Sequence, residues 1–352
     1  MERKIAWEKY SQEEMDKVFT FAEDYRQFLS HGKTERECVK LAVAEAKAHG
    51  YEDLNDVIAA GKTLKAGDKV YSVCMGKTLA MFQIGEEPLE NGMNIVGAHI
   101  DSPRIDLKQN PLYEDNDMAM FDTHYYGGIK KYQWVALPLA LYGVVAKKDG
   151  TTVDIAIGDD HGDPVFGISD LLPHLAREQM AKTAAKIIEG EDLNLLIGSI
   201  PVKGEEKEAV KKNILAILKE KYDIEEDDFI SAELEVVPAG AARDYGFDRS
   251  MIMGYGHDDR VCAYPSYKAM FELGSVKRTA VCLLVDKEEI GSVGATGMTS
   301  FYFENTVAEV INACGDYSDI KVRRALNNSR MLSSDVSAGF DPNYPSVMEK
   351  NN

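Results

Sequence analysis

No apolar run in this chain of 352 residues approaches the roughly 20 needed to cross a bilayer, so no membrane helix is expected. The opening residues, MERKIAWEKYSQEE, lack the apolar core of a secretory signal. Cysteine is sparse. Cys38, Cys74, Cys262, Cys282 and Cys314 are odd in number and never fall in C-x-x-C spacing, which argues against a disulfide framework or a thiolate zinc site. Buried thiols in a reducing cytoplasm are the expectation. Basic charge is in deficit: 40 Lys and Arg against 59 Asp and Glu leave a formal charge of −19, which both nucleic acid and anionic membranes repel. Internal repeats and low-complexity segments are also missing. What remains is an ordinary globular composition, 45% hydrophobic and 28% charged, able to bury a sizeable core and long enough for two parts.

Patterning gives those parts an order. Met15, Val18, Phe19, Ala22, Tyr25 and Leu29 recur at helical spacing. Thr34 followed by Glu37 has the form of a capping box, opening a second helix whose stripe runs through Val39, Ala42, Val43 and Ala46 to a stop at Gly50. From Lys69 the runs VYSVCM, TLAMFQIG and NIVGAHID read as strands, the last apolar on both faces. Residues 106–247 differ: hairpin-like aromatic pieces around Tyr125-Tyr126-Gly127-Gly128 and Trp134–Val145, a charged helix burying Val210, Ile214, Leu215 and Leu218, then the strand AELEVV. After Arg249 an α/β rhythm returns with GHDDRVCAYPSYKAMFEL, TAVCLLVDKEEIG, TVAEVINAC and LSSDVSAGF. The inference is an α/β domain with a mixed sheet, 1–105 and 248–352, interrupted by a mainly β insert at 106–247.

Four clusters could carry chemistry, each near the carboxyl end of a strand, where α/β folds build sites. In His99-Ile100-Asp101 the outer residues face the same way on a strand. His99 can then bind a metal while Asp101 fixes its tautomer. In His257-Asp258-Asp259-Arg260 paired carboxylates could bridge two cations, although alone they fit a turn with an Asp N-cap better. Glu288-Glu289 end an apolar run, where desolvation is costly unless they meet a cation or a proton. Asp335 adds a further hard oxygen donor. An imidazole with carboxylates and no thiolate suits zinc, cobalt or manganese.

In combination and in this order, VGAHIDSPR (96–104), HDDR (257–260), DKEEIGSVGATG (286–297) and SSDVSAGFDPNYP (333–345) resemble the M18 family of metalloaminopeptidases. YYGGIKKYQWVALPLALYGVV and ISDLLPHLA of the insert are similar to that family too. The resemblance implies a two-metal, zinc-dependent peptidase with peptide substrates, including enzymes that prefer N-terminal Asp or Glu. It implies His99 and Asp335 as ligands of one ion, Glu289 of the other, Asp258 bridging both, Glu288 as general base and Asp101 supporting His99. It further implies an insert that forms dimers, a tetrahedral twelve-subunit assembly, and His174 reaching into a neighbour's site. Family members carry a last histidine ligand beyond the DPNY stretch. No histidine follows His257 here, so a C-terminal truncation is expected. Two other readings compete: a carboxypeptidase or deacylase with two metals on a related fold, and a metal-free assembly protein.

Overall fold

The computed structural model describes residues 5–315 and 317–348, so the extreme ends of the expected catalytic part lie outside the described residues. The chain divides into two compact units, residues up to Thr34 with Ser102–Tyr255, and Glu35–Asp101 with Gly256 onward. Sequence patterning alone groups residues 1–34 with the second of these. Their helix, Gln12–His31, instead packs in the first unit. Arg26 Nη1 donates to the carbonyl of Ala242 at 3.0 Å and Ser30 Oγ accepts from the Ala242 amide at 3.1 Å. Tyr25, Phe28 and Leu29 are buried, whereas Phe19 of the same stripe is exposed.

Among the described residues of this first unit, six strands form an antiparallel sheet in the order Thr152–Ile157, Leu139–Ala146, Ala232–Pro238, Arg104–Asp115, Met118–Tyr126, Leu195–Gly198. The insert is β-rich, as its aromatic, alternating sequence suggested. Its tight hairpin turn is elsewhere, however. Asn116 and Asp117, both at positive φ, join two strands, the conformation Asn and Asp tolerate best in a two-residue turn. The strand Met118–Tyr126 simply ends at the Gly127-Gly128 pair. The helix Ala209–Tyr222 buries Val210 and packs Ile214, Leu215 and Leu218 partly against a core built from Ile105, Phe121, Leu141 and Val236.

The second unit positions the site. Among its described residues a mixed six-stranded sheet runs Glu52–Asp53, Lys69–Cys74, Thr78–Gln83, Ala280–Val285, Asn94–His99, Arg330–Ser333. Ala280–Val285 and Arg330–Ser333 flank Asn94–His99 and run parallel to it, so three strands end at the same edge. Thr78–Gln83 and most of Ala280–Val285 are buried on both faces, as continuous apolar runs require. The helices Glu35–Ala48, His257–Phe271, Tyr302–Ala313 and Asp319–Asn328 complete this unit. No described helix is long and apolar enough to cross a membrane.

Candidate metal centre

The centre is built on the carboxyl ends of those three parallel strands. His99 is the last residue of its strand and is buried. Its Nδ1 donates to the backbone carbonyl of Asp101 at 2.9 Å and lies 3.3 Å from that residue's carboxylate. This fixes the tautomer with its proton on Nδ1 and turns Nε2 toward other carboxylates. Nε2 is 3.3 Å from Asp258, 3.8 Å from Glu288 and 4.0 Å from Asp335. Burial disfavours an imidazolium here, yet the hydrogen bond and charge of Asp101, with the charge of Asp259, outweigh it and raise the pKa to about 9. A second proton on Nε2 is thus favoured by the same negative surroundings that would favour a metal cation.

Asp101 does more than support His99. Its fully buried carboxylate accepts the backbone N–H groups of both Glu288 and Glu289 at 3.2 Å. One side chain therefore ties the imidazole to the turn carrying the glutamates. That turn, Glu288–Ile290, follows the strand Ala280–Val285 through Lys287 in the left-handed region. Glu289 is half-buried, and burial together with the charge of Asp258 pushes its carboxyl up to about 7. Asp335 follows the edge strand, where the Ser334 amide donates to Gly97 at 2.9 Å.

Asp258 and Asp259 are joined by a cis peptide and lie in the non-helical opening of the helix His257–Phe271. Arg260, buried directly behind them, donates from Nε to the carbonyl of Ile100 at 3.2 Å. Gly256 makes room for it, because a Cβ there would sit 2.0 Å from the guanidinium Nη1. This pins the HDDR loop to the end of the His99 strand. Asp259 is fully buried, and its desolvation raises its carboxyl to about 6 despite the neighbouring Cys262 thiol.

Two donor sets result, each with ligand atoms within 4.8 Å of one another: His99 with Asp258 and Glu289, and His99 with Asp259 and Asp335. All four residues expected as metal ligands are brought together, and Glu288 and Asp101 adjoin them. Nitrogen and carboxylate oxygen donors without thiolate fit zinc. His174 is not among these donors. It sits in the other unit, on an exposed stretch with Leu171, Leu172 and Leu175.

Sequence reasoning gave Asp259 no part of its own and missed a buried cluster beneath the glutamates. There Lys77 lies 2.7 Å from Glu35 and 3.6 Å from Asp286, and the hydroxyl of Thr296 donates to Asp286. Burial first, then the charge of Glu35, push the Asp286 carboxyl up, with Lys77 opposing. Asp286 stands two positions before Glu288 in DKEE, and a third acid at a strand end was the available signal.

Parallel strand ends that gather an imidazole and several carboxylates form a candidate metal centre of the kind that metallohydrolases use. The comparisons narrow the class. Residues 28–352 match the family described as "Aminopeptidase I zinc metalloprotease (M18)". The "Probable M18 family aminopeptidase 1" of Clostridium acetobutylicum is 63% identical over 352 residues, covering 100% of this chain and 76% of that protein. The crystal structure of an aminopeptidase of the M18 family from Thermotoga maritima superposes with a TM-score of 0.92 at 42% identity, covering 100% of this chain and 76% of that one. That of aminopeptidase I from Clostridium acetobutylicum gives 0.90 at 60% identity, covering 99% and 76%. This chain belongs to the M18 family of zinc metalloaminopeptidases. It is a peptide hydrolase of that class, with the mixed α/β fold expected from its sequence.

Proposed function

We propose that the enzyme works with two divalent ions, zinc foremost, held by His99, Asp258, Glu289 and Asp335, with Asp258 shared between them. The observation that carries this is the gathering of the Asp258, Glu288 and Asp335 oxygens within 4.0 Å of Nε2 on a buried imidazole whose other nitrogen is already engaged. When bound, zinc supplies positive charge that acidifies water and polarises the scissile carbonyl. The chain's own residues do the rest. Asp101 orients His99 and holds the glutamate turn by two amides. Glu288, solvent-exposed at the start of that turn, takes the proton of the attacking water and returns it to the departing amine, acting as base and then acid.

The substrate in this reading is a peptide with a free α-amine. A panel of free and N-acetylated peptides, with metal analysis of the same protein, tests it. Release of the first residue from free peptides alone, with two zinc ions per chain, is the expected result. Equal cleavage of acetylated peptides, or release from the C-terminus, would overturn it. The same panel carrying Asp, Glu, Leu or Lys at the N-terminus tests the acidic preference that the resemblance implies.

On this reading the unit that carries the site, Glu35–Asp101 with Gly256 onward, is the catalytic part, and the other unit, which holds residues 106–247, is the oligomer-forming part of a dimer that assembles into a tetrahedral dodecamer. Leu171, Leu172, Leu175 and Met180, each more than half exposed around His174, support an interface there. Mixing His174→Ala with Asp258→Ala chains should restore part of the activity each lacks, because a hybrid dimer holds one site with both groups intact. No restoration would remove His174 from a neighbour's site. The five free cysteines fit a reducing cytoplasm as the compartment.

A further inference from the structure

We propose that a cleft in the second unit, at the end of the sheet away from His99, binds a free α-amino acid with an apolar side chain, the class of compound an aminopeptidase releases. The proposal rests on the family's activity and not on the number of ions. The cleft holds about 290 Å³, below the usual range for larger ligands and enough for one amino acid. Buried Leu64, Ile84, Leu89 and Ile311 line it together with Cys314, whose thiol stays neutral because burial pushes its pKa up to about 11. Gln83 and Asn94 both lie level with Ala280 in the sheet, so Ile84 and its neighbours sit where the strand Asn94–His99 begins. The length of that strand, about 17 Å, separates the cleft from the metal centre.

Its walls are held by backbone. The Leu64 amide donates to the carbonyl of Ala313 at 2.8 Å, and the Ile84 amide to that of Asp68 at 2.8 Å. The amides of Glu86 and Glu87 donate to Val276 and Lys277 at 3.0 and 2.8 Å, and a Cβ on Gly85 would meet the backbone of that segment at 2.5 Å. Most charges at the mouth are already paired. Glu90 lies 3.1 Å from Arg324 and 4.0 Å from Lys321, and Glu87 lies 3.9 Å from Arg278. Lys65 and Glu86 differ. Both are exposed, and neither side chain has a hydrogen bond or ion pair among the described residues. One unengaged ammonium and one unengaged carboxylate thus stand over an apolar floor. A zwitterion satisfies both, its carboxylate at Lys65 and its ammonium at Glu86, with its side chain among Leu64, Ile84 and Ile311. An acid or an amine alone engages one charge and meets the like sign of the other.

The test exposes the zinc-loaded full chain, and its Lys65→Met and Glu86→Gln variants, to N-ethylmaleimide in rising L-leucine. Labelling of Cys314 is read by peptide mass spectrometry, and calorimetry on the same proteins gives the affinity independently of the thiol. L-leucine should shield Cys314 and bind at roughly millimolar concentration, as suits so small a ligand. Isocaproate, which lacks the amine, and isoamylamine, which lacks the carboxylate, should each bind about 10-fold more weakly, and so should L-leucine on either variant. Turnover in the absence of leucine should be equal in all three proteins, because neither residue belongs to the metal centre. Cys314 labelling that leucine leaves unchanged, with no heat that the variants reduce, would overturn the site. Equal binding of all three compounds would overturn recognition of a zwitterion, and leucine binding that survives both variants would place it elsewhere. None of these outcomes touches the peptidase reading, which falls only if free peptides go uncleaved.

Discussion

Two acidic clusters lie in the same unit of this protein and are closed in different ways. At Glu35 and Asp286 an ammonium, that of Lys77, sits between fully buried carboxylates. At His99 the central nitrogen belongs to an imidazole, and Asp258, Glu288 and Asp335 keep about half of their side-chain surface in solvent. A fixed ammonium cannot be exchanged, and enclosure raises the cost of losing it. An imidazole offers a lone pair that a proton or a metal can take in turn. Both clusters need positive charge, and the residue that supplies it separates scaffold from site.

The comparison is sharpened most by the glutamates at the open cluster. Glu288→Gln should lower turnover by about 10²–10⁴-fold, the range for losing a general base, with the melting temperature and zinc content nearly unchanged. Glu289→Gln should instead lower zinc content first. Steady-state kinetics with metal analysis on both variants separates the roles, and the opposite pattern would exchange base and ligand.

A smaller effect, and of a different kind, is expected at the closed cluster. Lys77→Met leaves Glu35 and Asp286 buried without the ammonium between them, which should cost about 3–5 kcal/mol of stability. Chemical denaturation measures that loss. Protein that remains folded should still take up zinc. If Lys77→Met lost zinc without losing stability, the clusters would be one functional network and the contrast would fail.

Much of this arrangement was legible in the residues because strands and motifs coincide. NIVGAHID and TAVCLLVDKEE are continuous apolar runs ending in polar residues, which is how a buried parallel strand delivers side chains to a site. His99, Asp258, Glu288, Glu289 and Asp335 could be named from those endings, from HDDR and from Ser333-Ser334-Asp335. Long-range pairing could not. Nothing in the spacing says that Asp101 accepts the amides of residues 187 and 188 positions later. Lys77 reads as one more lysine in a turn until folding sets it between Glu35 and Asp286. Asp259 was eclipsed by its neighbour, because the resemblance assigns one aspartate of the pair and nothing in the motif announces that the other is fully buried. The first helix misled for a related reason. Its apolar stripe announces a helix but not its packing partner, and the contacts through Arg26 and Ser30 decide that.

Asp101 stands where the two clusters meet, and so gives the finest test. Its carboxylate holds the imidazole of the open cluster and the glutamate amides, and its charge also acts on Asp286 of the closed one. Asp101→Asn keeps the shape but presents an N–H₂ group where only acceptors fit, since the backbone N–H groups of Glu288 and Glu289 both donate to the carboxylate and Nδ1 of His99 lies 3.3 Å from it. If Asp101 serves chiefly the open cluster, zinc affinity should fall about 10–100-fold, as for other outer-shell partners of a ligating histidine. Stability of the metal-free chain should change much less than in Lys77→Met. Chelator-competition titration gives the first quantity and denaturation the second. If Asp101→Asn behaved as Lys77→Met does, losing stability while binding zinc normally, Asp101 would belong to the scaffold and His99 would owe its orientation to the backbone carbonyl of Asp101 alone.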